Sequence, residues 1–214
     1  MSQYTLYGSK GSGSSIVEAA LAIVGIDDYR RVDAATWLPD SALSELHAVN
    51  PLGQIPTLLL PDGEVLSESA AILIHLGLLY PQSGLLPADP LSRARVIRGL
   101  VYLAANCYSA ISVIDYPERW CADADADEAV KLRIRQGTRE RLYRHWEIFA
   151  DGFLRNRYLS GEAPGALDWM ASVVSRWAGA REHLRVARPA FATLMDELDR
   201  HPDVAAVFAR HWES

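Results

Sequence analysis

Two short segments carry the residue types most suited to holding a small ligand: Asn50-Pro51-Leu52-Gly53-Gln54-Ile55-Pro56, and Glu68-Ser69 ahead of the apolar run Ala70-Ala71-Ile72-Leu73-Ile74-His75-Leu76. The tertiary amide of proline makes a cis bond at Ile55-Pro56 far cheaper than at a non-proline pair. A cis bond there turns the Ile55 N–H and C=O out of the sheet, where they can grip a peptide as a neighbouring strand would. Glu68 and Ser69 open a helix, whose first-turn N–H groups are unpaired and carry the positive end of the dipole. Such an end suits a carboxylate. Together the two segments describe a site for a small, peptide-like anion.

The elements around them follow from pattern. Tyr4 to Tyr7 reads as a strand, and Ser15 to Gly25 as a helix from the spacing of Ile16, Ala19, Ala20 and Ile23. Tyr29 to Val32 reads as a second strand. Thr57 to Leu60 and Glu64 to Leu66 flank the turn Pro61-Asp62-Gly63, a hairpin signal. Ser69 to Leu79 is the helix that follows. Residues 81–89 are rich in breakers and read as a linker, which divides the chain into 1–80 and an all-helical 90–214. In the second part Leu91 to Ile114 is apolar around most of its circumference, and Val130 to Phe149 is amphipathic. The acids of Asp123-Ala124-Asp125-Ala126-Asp127 fit a helix start. Shorter helices follow Gly165 and Arg188, and His201-Pro202 opens a last one.

Composition excludes several functions. The 214 residues carry 21 basic and 27 acidic side chains, net −6, with lysine only at Lys10 and Lys131. Binding a phosphate backbone needs clustered basic groups, so nucleic acid is not an expected partner. No stretch reaches the ~20 uninterrupted apolar residues of a membrane span, and the N-terminus lacks a basic-then-apolar leader; a cytosolic protein is expected. Cys107 and Cys121 have no C-x-x-C spacing, and the six histidines form no H-x-x-x-H pair, so no metal is assigned.

Asn-Pro-x-Gly-x-Ile-Pro, then Asp62-Gly63, then Leu66-Ser67-Glu68-Ser69-Ala70-Ala71-Ile72, resembles the thioredoxin-like domain of cytosolic glutathione S-transferases. Tyr4-Thr5-Leu6-Tyr7-Gly8-Ser9, leading into a Ser/Gly loop, carries the same likeness. The resemblance implies an α/β thioredoxin-like N-terminal domain of βαβ-α-ββα order, an all-α C-terminal domain, and a homodimer. It implies glutathione as co-substrate, its γ-glutamyl end on Glu68 and Ser69, its cysteinyl backbone on Ile55, and Pro56 as the structural cis-proline. Gln54 and His47 would reach the glycyl carboxylate. A small hydrophobic electrophile would enter between the domains, near Asn106 and Tyr108, with Tyr116 and Trp120 as weaker aromatic candidates.

The chemistry implied is thiolate stabilisation. A thiol like free Cys has a pKa of about 8.5, and a hydrogen bond to a charged group is worth ~1.5–3 kcal/mol. At ~1.36 kcal/mol per pKa unit, one hydroxyl suffices to lower the thiol by one to two units. The loop offers Ser9, Ser12, Ser14 and Ser15, with Tyr7 on the preceding strand. Ser12 matches the serine of the serine-type classes best and Ser14 comes second. Gly13 stands where the cysteine-type bacterial class has its cysteine; a backbone N–H as donor, with Gly13 permitting close approach, is the alternative. A glutathione-binding scaffold without turnover, and a peroxidase or disulfide reductase lacking a protein thiol, are the rival readings. One departure concerns the helix containing Asp168: its cap position holds Gly165 where the family places Ser or Thr.

Overall fold

In the computed structural model, which describes residues 3–122 and 127–212, a four-stranded sheet with helices on both faces is followed by an all-helical region. Strands β1 (Thr5–Gly8), β2 (Arg30–Asp33), β3 (Thr57–Leu59) and β4 (Val65–Ser67) lie in the order β2-β1-β3-β4. Helix α1 (Ser14–Ile23) connects the parallel pair β1 and β2. Strand β3 runs antiparallel to both β1 and β4, with Thr57 opposite Tyr7 and Ser67. Gly63, at φ 92, makes the β3–β4 turn, a backbone state glycine adopts without penalty. Helix α2 (Leu43–Val49) and helix α3 (Ser69–Leu79) complete the βαβ-α-ββα order that the resemblance implied.

Sheet alternation sorts the side chains. Leu6 and Leu58 join α1 and α3 in the main core, while Tyr7 and Val32 face the other way and pack with Leu46 of α2. Leu46 is the one buried residue of α2, so this helix has almost no apolar periodicity to read.

The helical region begins with α4 (Pro90–Tyr102), capped by the Asp89 side chain, which accepts from the Ser92 N–H at 2.8 Å. It runs through a π-helical turn, Leu103–Tyr108, into α5 (Ser109–Asp115). By length and composition alone the run Pro90–Asp115 could cross a membrane, with a mean hydropathy of 1.4. Here Val96, Leu100, Leu103, Cys107, Ile111 and Ile114 form its stripe in the common core. Helix α6 (Glu128–Phe153) starts at Asp127, whose side chain accepts from the Ala129 N–H; residues 123–126 of the expected acidic start lie outside the described residues. Then come α7 (Ala166–Val174), α8 (Ala180–Ala187), α9 (Pro189–Leu198) and α10 (Pro202–His211). Helix α8 is a correction to the sequence reading, which has no helix starting after Gly179. It begins where Ala178 and Gly179 both take positive φ.

Gly165 caps α7 without a side chain, and the Asp168 carboxylate does the remaining work. It accepts from the N–H groups of Leu159, Ser160 and Gly165 at 2.8 to 3.0 Å. A Cβ at 165 would stand 2.9 Å from the Leu85 carbonyl oxygen and from Ser160, so this close approach leaves room only for glycine.

Candidate functional site

The start of α3 and the loop before β3 open onto one cavity of about 660 Å³. The Ile55-Pro56 bond is cis, and β3 pairing begins only at Thr57. The Ile55 N–H and C=O have no backbone partner among the described residues. Asn50 holds the loop in shape: its Nδ2 donates to Thr57 Oγ1 at 2.9 Å and to the Gln54 carbonyl at 3.2 Å, while its Oδ1 accepts from the Leu52 N–H. Thr57 Oγ1 in turn donates to the Gln54 carbonyl at 2.8 Å. Gly53, at φ 59, lies under the His47 imidazole so closely that a Cβ would collide with it.

Across the cavity Glu68 caps α3 with φ 66 and ψ 110, a conformation costly for a residue with a side chain and most often retained at ligand sites. Ser69 is buried, yet its Oγ has no hydrogen-bond partner among the described residues. A buried hydroxyl without a partner carries a desolvation cost, which a ligand oxygen at the α3 start would remove. Glu68, Ser69, Ile55, Gln54 and His47 all line the cavity, so the structure gathers the five residues that the resemblance assigned to one ligand.

The serine loop is arranged differently from the sequence reading. Ser12 Oγ donates to the Ser9 carbonyl at 2.7 Å and accepts from the N–H groups of Ser9 and Ser14. Ser14 Oγ donates to the same carbonyl and lies 2.9 Å from Ser12 Oγ. Ser15 Oγ donates to the Ser12 carbonyl, and the Tyr7 hydroxyl donates to Glu45 on the far face of the sheet. None of the four serines, nor Tyr7, is in the cavity wall. Ser12 and Ser14, named as first and second choice for the thiolate, are thus turned inward, because a tight turn at a helix start must satisfy its own buried polar groups.

Behind this loop the C-terminal helix closes the arrangement. His211 Nδ1 accepts from the Gly11 N–H at 3.1 Å, which puts the ring proton on Nε2, 2.9 Å from Glu18 Oε1. Arg31 and Arg210 each reach Glu18 Oε2 at 3.1 Å. Burial alone would raise the Glu18 pKa, but the His211, Arg210 and Arg31 partners together hold it down to about 2.

The helical side of the cavity is formed by Ala104, Tyr108, Ser112, Tyr116, Arg119 and Trp120. Tyr108 lies at the end of the π-helical turn, its ring 5.4 Å from that of Trp177. Burial, and secondarily the Glu68 carboxylate, push the Tyr108 hydroxyl far up, so it keeps its proton. Arg119 covers the Tyr116 ring at 4.0 Å.

The N-terminal part, residues 14–78, matches the family model described as glutathione S-transferase, N-terminal domain. The GST-like protein YncG of Escherichia coli is 32% identical over 211 residues, covering 96% of this chain and 97% of its own. The chain belongs to the glutathione S-transferase family. A maleylacetoacetate isomerase of Pseudomonas aeruginosa is 31% identical over 176 residues, with 78% of this chain and 76% of its own covered. Among solved structures, a glutathione transferase homologue from Sulfitobacter with bound glutathione superposes with a TM-score of 0.81. It is 27% identical and 97% of each chain is covered.

Within this glutathione S-transferase fold, Asn106 lies outside the cavity wall. Its Nδ2 donates to the Tyr102 carbonyl at 3.1 Å and its own carbonyl meets His145 Nδ1 of α6 at 3.1 Å. Residues two apart do not share a helix face, and of the two Tyr108 is in the cavity wall while Asn106 is not. Tyr116 and Trp120, ranked lower from sequence, are in the cavity wall, Arg119 was missed, and Asn50 was read as part of the motif without its role in holding the loop. Arg119 had a signal, a cation between two aromatics; Asn50 had one too, since a buried Asn before Pro51 must find partners.

Proposed function

We propose that the chain binds reduced glutathione in this cavity and joins it, through its sulfur, to a small hydrophobic electrophile. The observation that carries the reading is the buried, unpartnered Ser69 hydroxyl at the α3 start, facing the same cavity as the unpaired Ile55 backbone. The γ-glutamyl carboxylate accepts from Ser69 Oγ and the first-turn N–H groups of α3, while its ammonium meets Glu68. The cysteinyl N–H and C=O pair with Ile55 as an added strand. Gln54 and His47 are at the end where the glycyl carboxylate falls. The thiol gives its proton to water, the thiolate attacks the electrophilic carbon, and the leaving group departs with the bonding electrons.

Exposed Leu78, Leu79, Leu91 and Val101 on α3 and α4 offer apolar surface for a second subunit, and the reading includes a cytoplasmic homodimer with the domain division at 81–89. A second reading, isomerisation of an unsaturated acid, is favoured by Arg119, a cation in the electrophile half of the wall, and by the kinship with proteins named maleylacetoacetate isomerase. Calorimetric titration with glutathione tests the core claim. Binding should weaken roughly 10- to 100-fold in Glu68→Ala, the range for one charge-assisted hydrogen bond. Absence of binding to the unaltered protein would refute it, and turnover of maleylacetoacetate in place of an aryl halide would decide for the second reading.

A further inference from the structure

We propose that the hydroxyl of Tyr108, delivered from the helical region, is the group that holds the glutathione thiolate, in place of any serine of the α1 loop. This rests on the glutathione reading above and names the donor that reading lacks.

Three observations converge on Tyr108. First, three of the four loop hydroxyls are spent, since Ser12 and Ser14 both donate to the Ser9 carbonyl and Ser15 to that of Ser12, and the fourth, Ser9, lies outside the cavity wall. Turning Ser12 Oγ toward a ligand would strip the Ser9 carbonyl and the N–H groups of Ser9 and Ser14 of their partner. Second, the Tyr108 hydroxyl stands directly on Gly13, the residue that caps α1, so closely that a Cβ there would overlap it. Burial and the Glu68 carboxylate, and no hydrogen bond among the described residues, make up its surroundings. Third, Tyr108 lines the cavity together with Ile55, Glu68 and Ser69. With the cysteinyl backbone on Ile55 and the γ-glutamyl end on Ser69, the side chain between them faces the α1 start, where this hydroxyl waits.

The rest of the environment suits the role. Packing of the ring against Trp177 fixes its direction, and the π-helical turn that ends at Tyr108 is an irregularity often retained at functional positions. Burial raises the hydroxyl's pKa, so the proton stays on the tyrosine oxygen and is donated to sulfur while the thiol proton leaves to water. The dipole of α1 favours the same anion. Because Tyr108 belongs to the helical wall, it would touch both the sulfur and the entering electrophile, and sulfur activation would depend on the packing of that wall against α1.

The test uses the full-length protein, Tyr108→Phe and Ser12→Ala. Calorimetry with glutathione comes first; no binding to the unaltered protein overturns the glutathione reading and this proposal with it. With binding established, the ultraviolet absorption of the bound thiolate is followed against pH. Below the bound thiol's pKa Tyr108→Phe should bind glutathione with nearly unchanged affinity; it should raise that pKa by about one to two units, and lower kcat/KM for the electrophile, at saturating glutathione and neutral pH, by about 10- to 100-fold. That loss should vanish at alkaline pH, where the thiol ionises unaided, and Ser12→Ala should leave the thiol pKa in place. A thiol pKa unmoved by Tyr108→Phe, or moved by Ser12→Ala instead, overturns the proposal. Lower thermal stability of Tyr108→Phe without a change in thiol pKa does the same, since it marks a packing role alone.

Discussion

Replacing Glu18 by Gln should make the protein's acid stability nearly independent of one proton, and the size of the effect follows from the cluster around it. The carboxylate is buried and faces His211, Arg210 and Arg31. Burial works against the charge and the three partners outweigh it, taking the pKa from an ordinary 4.5 to about 2. A carboxylate depressed on folding contributes stability that is full above the unfolded value and is lost as pH falls through the folded one. The drop of about 2.5 pKa units at about 1.36 kcal/mol each amounts to about 3 kcal/mol. Because Gln resembles the protonated acid in shape and charge, Glu18→Gln should cost about 3 kcal/mol at neutral pH and almost nothing near pH 2. Urea unfolding of both proteins across this range measures the difference directly, and other carboxylates cancel between them. The two stabilities should converge between pH 4.5 and about 2. Curves that stay parallel over that window would refute the account of Glu18, His211 and the two arginines as a coupled cluster.

Two further substitutions probe the frame of the site. Asn50→Ala removes three hydrogen bonds of the loop before Pro56 and should cost roughly 2–4 kcal/mol; urea unfolding should show that loss and calorimetry a weaker grip on glutathione. Gly165→Ala places a methyl 2.9 Å from the Leu85 carbonyl and should destabilise by about 1–3 kcal/mol; a thermal midpoint at or above that of the unaltered protein would show that the helix start had room to spare.

Much of the fold was legible because it is locally encoded. The β3–β4 hairpin announced itself through Pro61-Asp62-Gly63, and α3 runs from Ser69 to Leu79 as its apolar run requires. This part of the cavity wall was legible for the same reason, since Ile55, Pro56, Glu68 and Ser69, which line it, stand in short motifs that specify backbone geometry. The errors fall where distant segments decide. Ser12 was a fair choice by spacing, but whether a loop serine faces a ligand or its own turn depends on competing acceptors that sequence does not rank. The bond between Gly11 and His211 spans 200 positions, and nothing near either residue points to the other. Asn106 lies outside the cavity wall for a geometric reason that helical spacing could have supplied, as it shares no face with Tyr108. Helix α8 escaped notice because its start depends on two successive positive-φ residues, Ala178 and Gly179, of which only the glycine is a recognisable signal.

The α1 start is fixed from three sides: the serine turn within, His211 from the C-terminal helix, and Tyr108 from the helical wall. The hydroxyls of Ser12, Ser14 and Ser15 are committed to the turn itself and are not offered to a ligand. Gly13 is where this logic can be tested without touching any hydroxyl. Its φ of −62 and ψ of −12 are ordinary for any residue, so an alanine adds no backbone strain and meets only the tyrosine: its Cβ overlaps the Tyr108 hydroxyl and lies 3.1 Å from the ring carbon that bears it. Gly13→Ala should therefore cost about 1–3 kcal/mol by overpacking, and Tyr108→Phe in the same protein should recover part of that cost by removing the overlapping oxygen. Because the displaced hydroxyl can no longer reach the sulfur, Gly13→Ala should raise the bound thiol's pKa much as Tyr108→Phe does, while the serine turn stays intact. A Gly13→Ala protein with unchanged stability and an unchanged thiol pKa would show that the hydroxyl is not seated on the α1 start, and the donor would have to be sought in the backbone N–H groups of the loop itself.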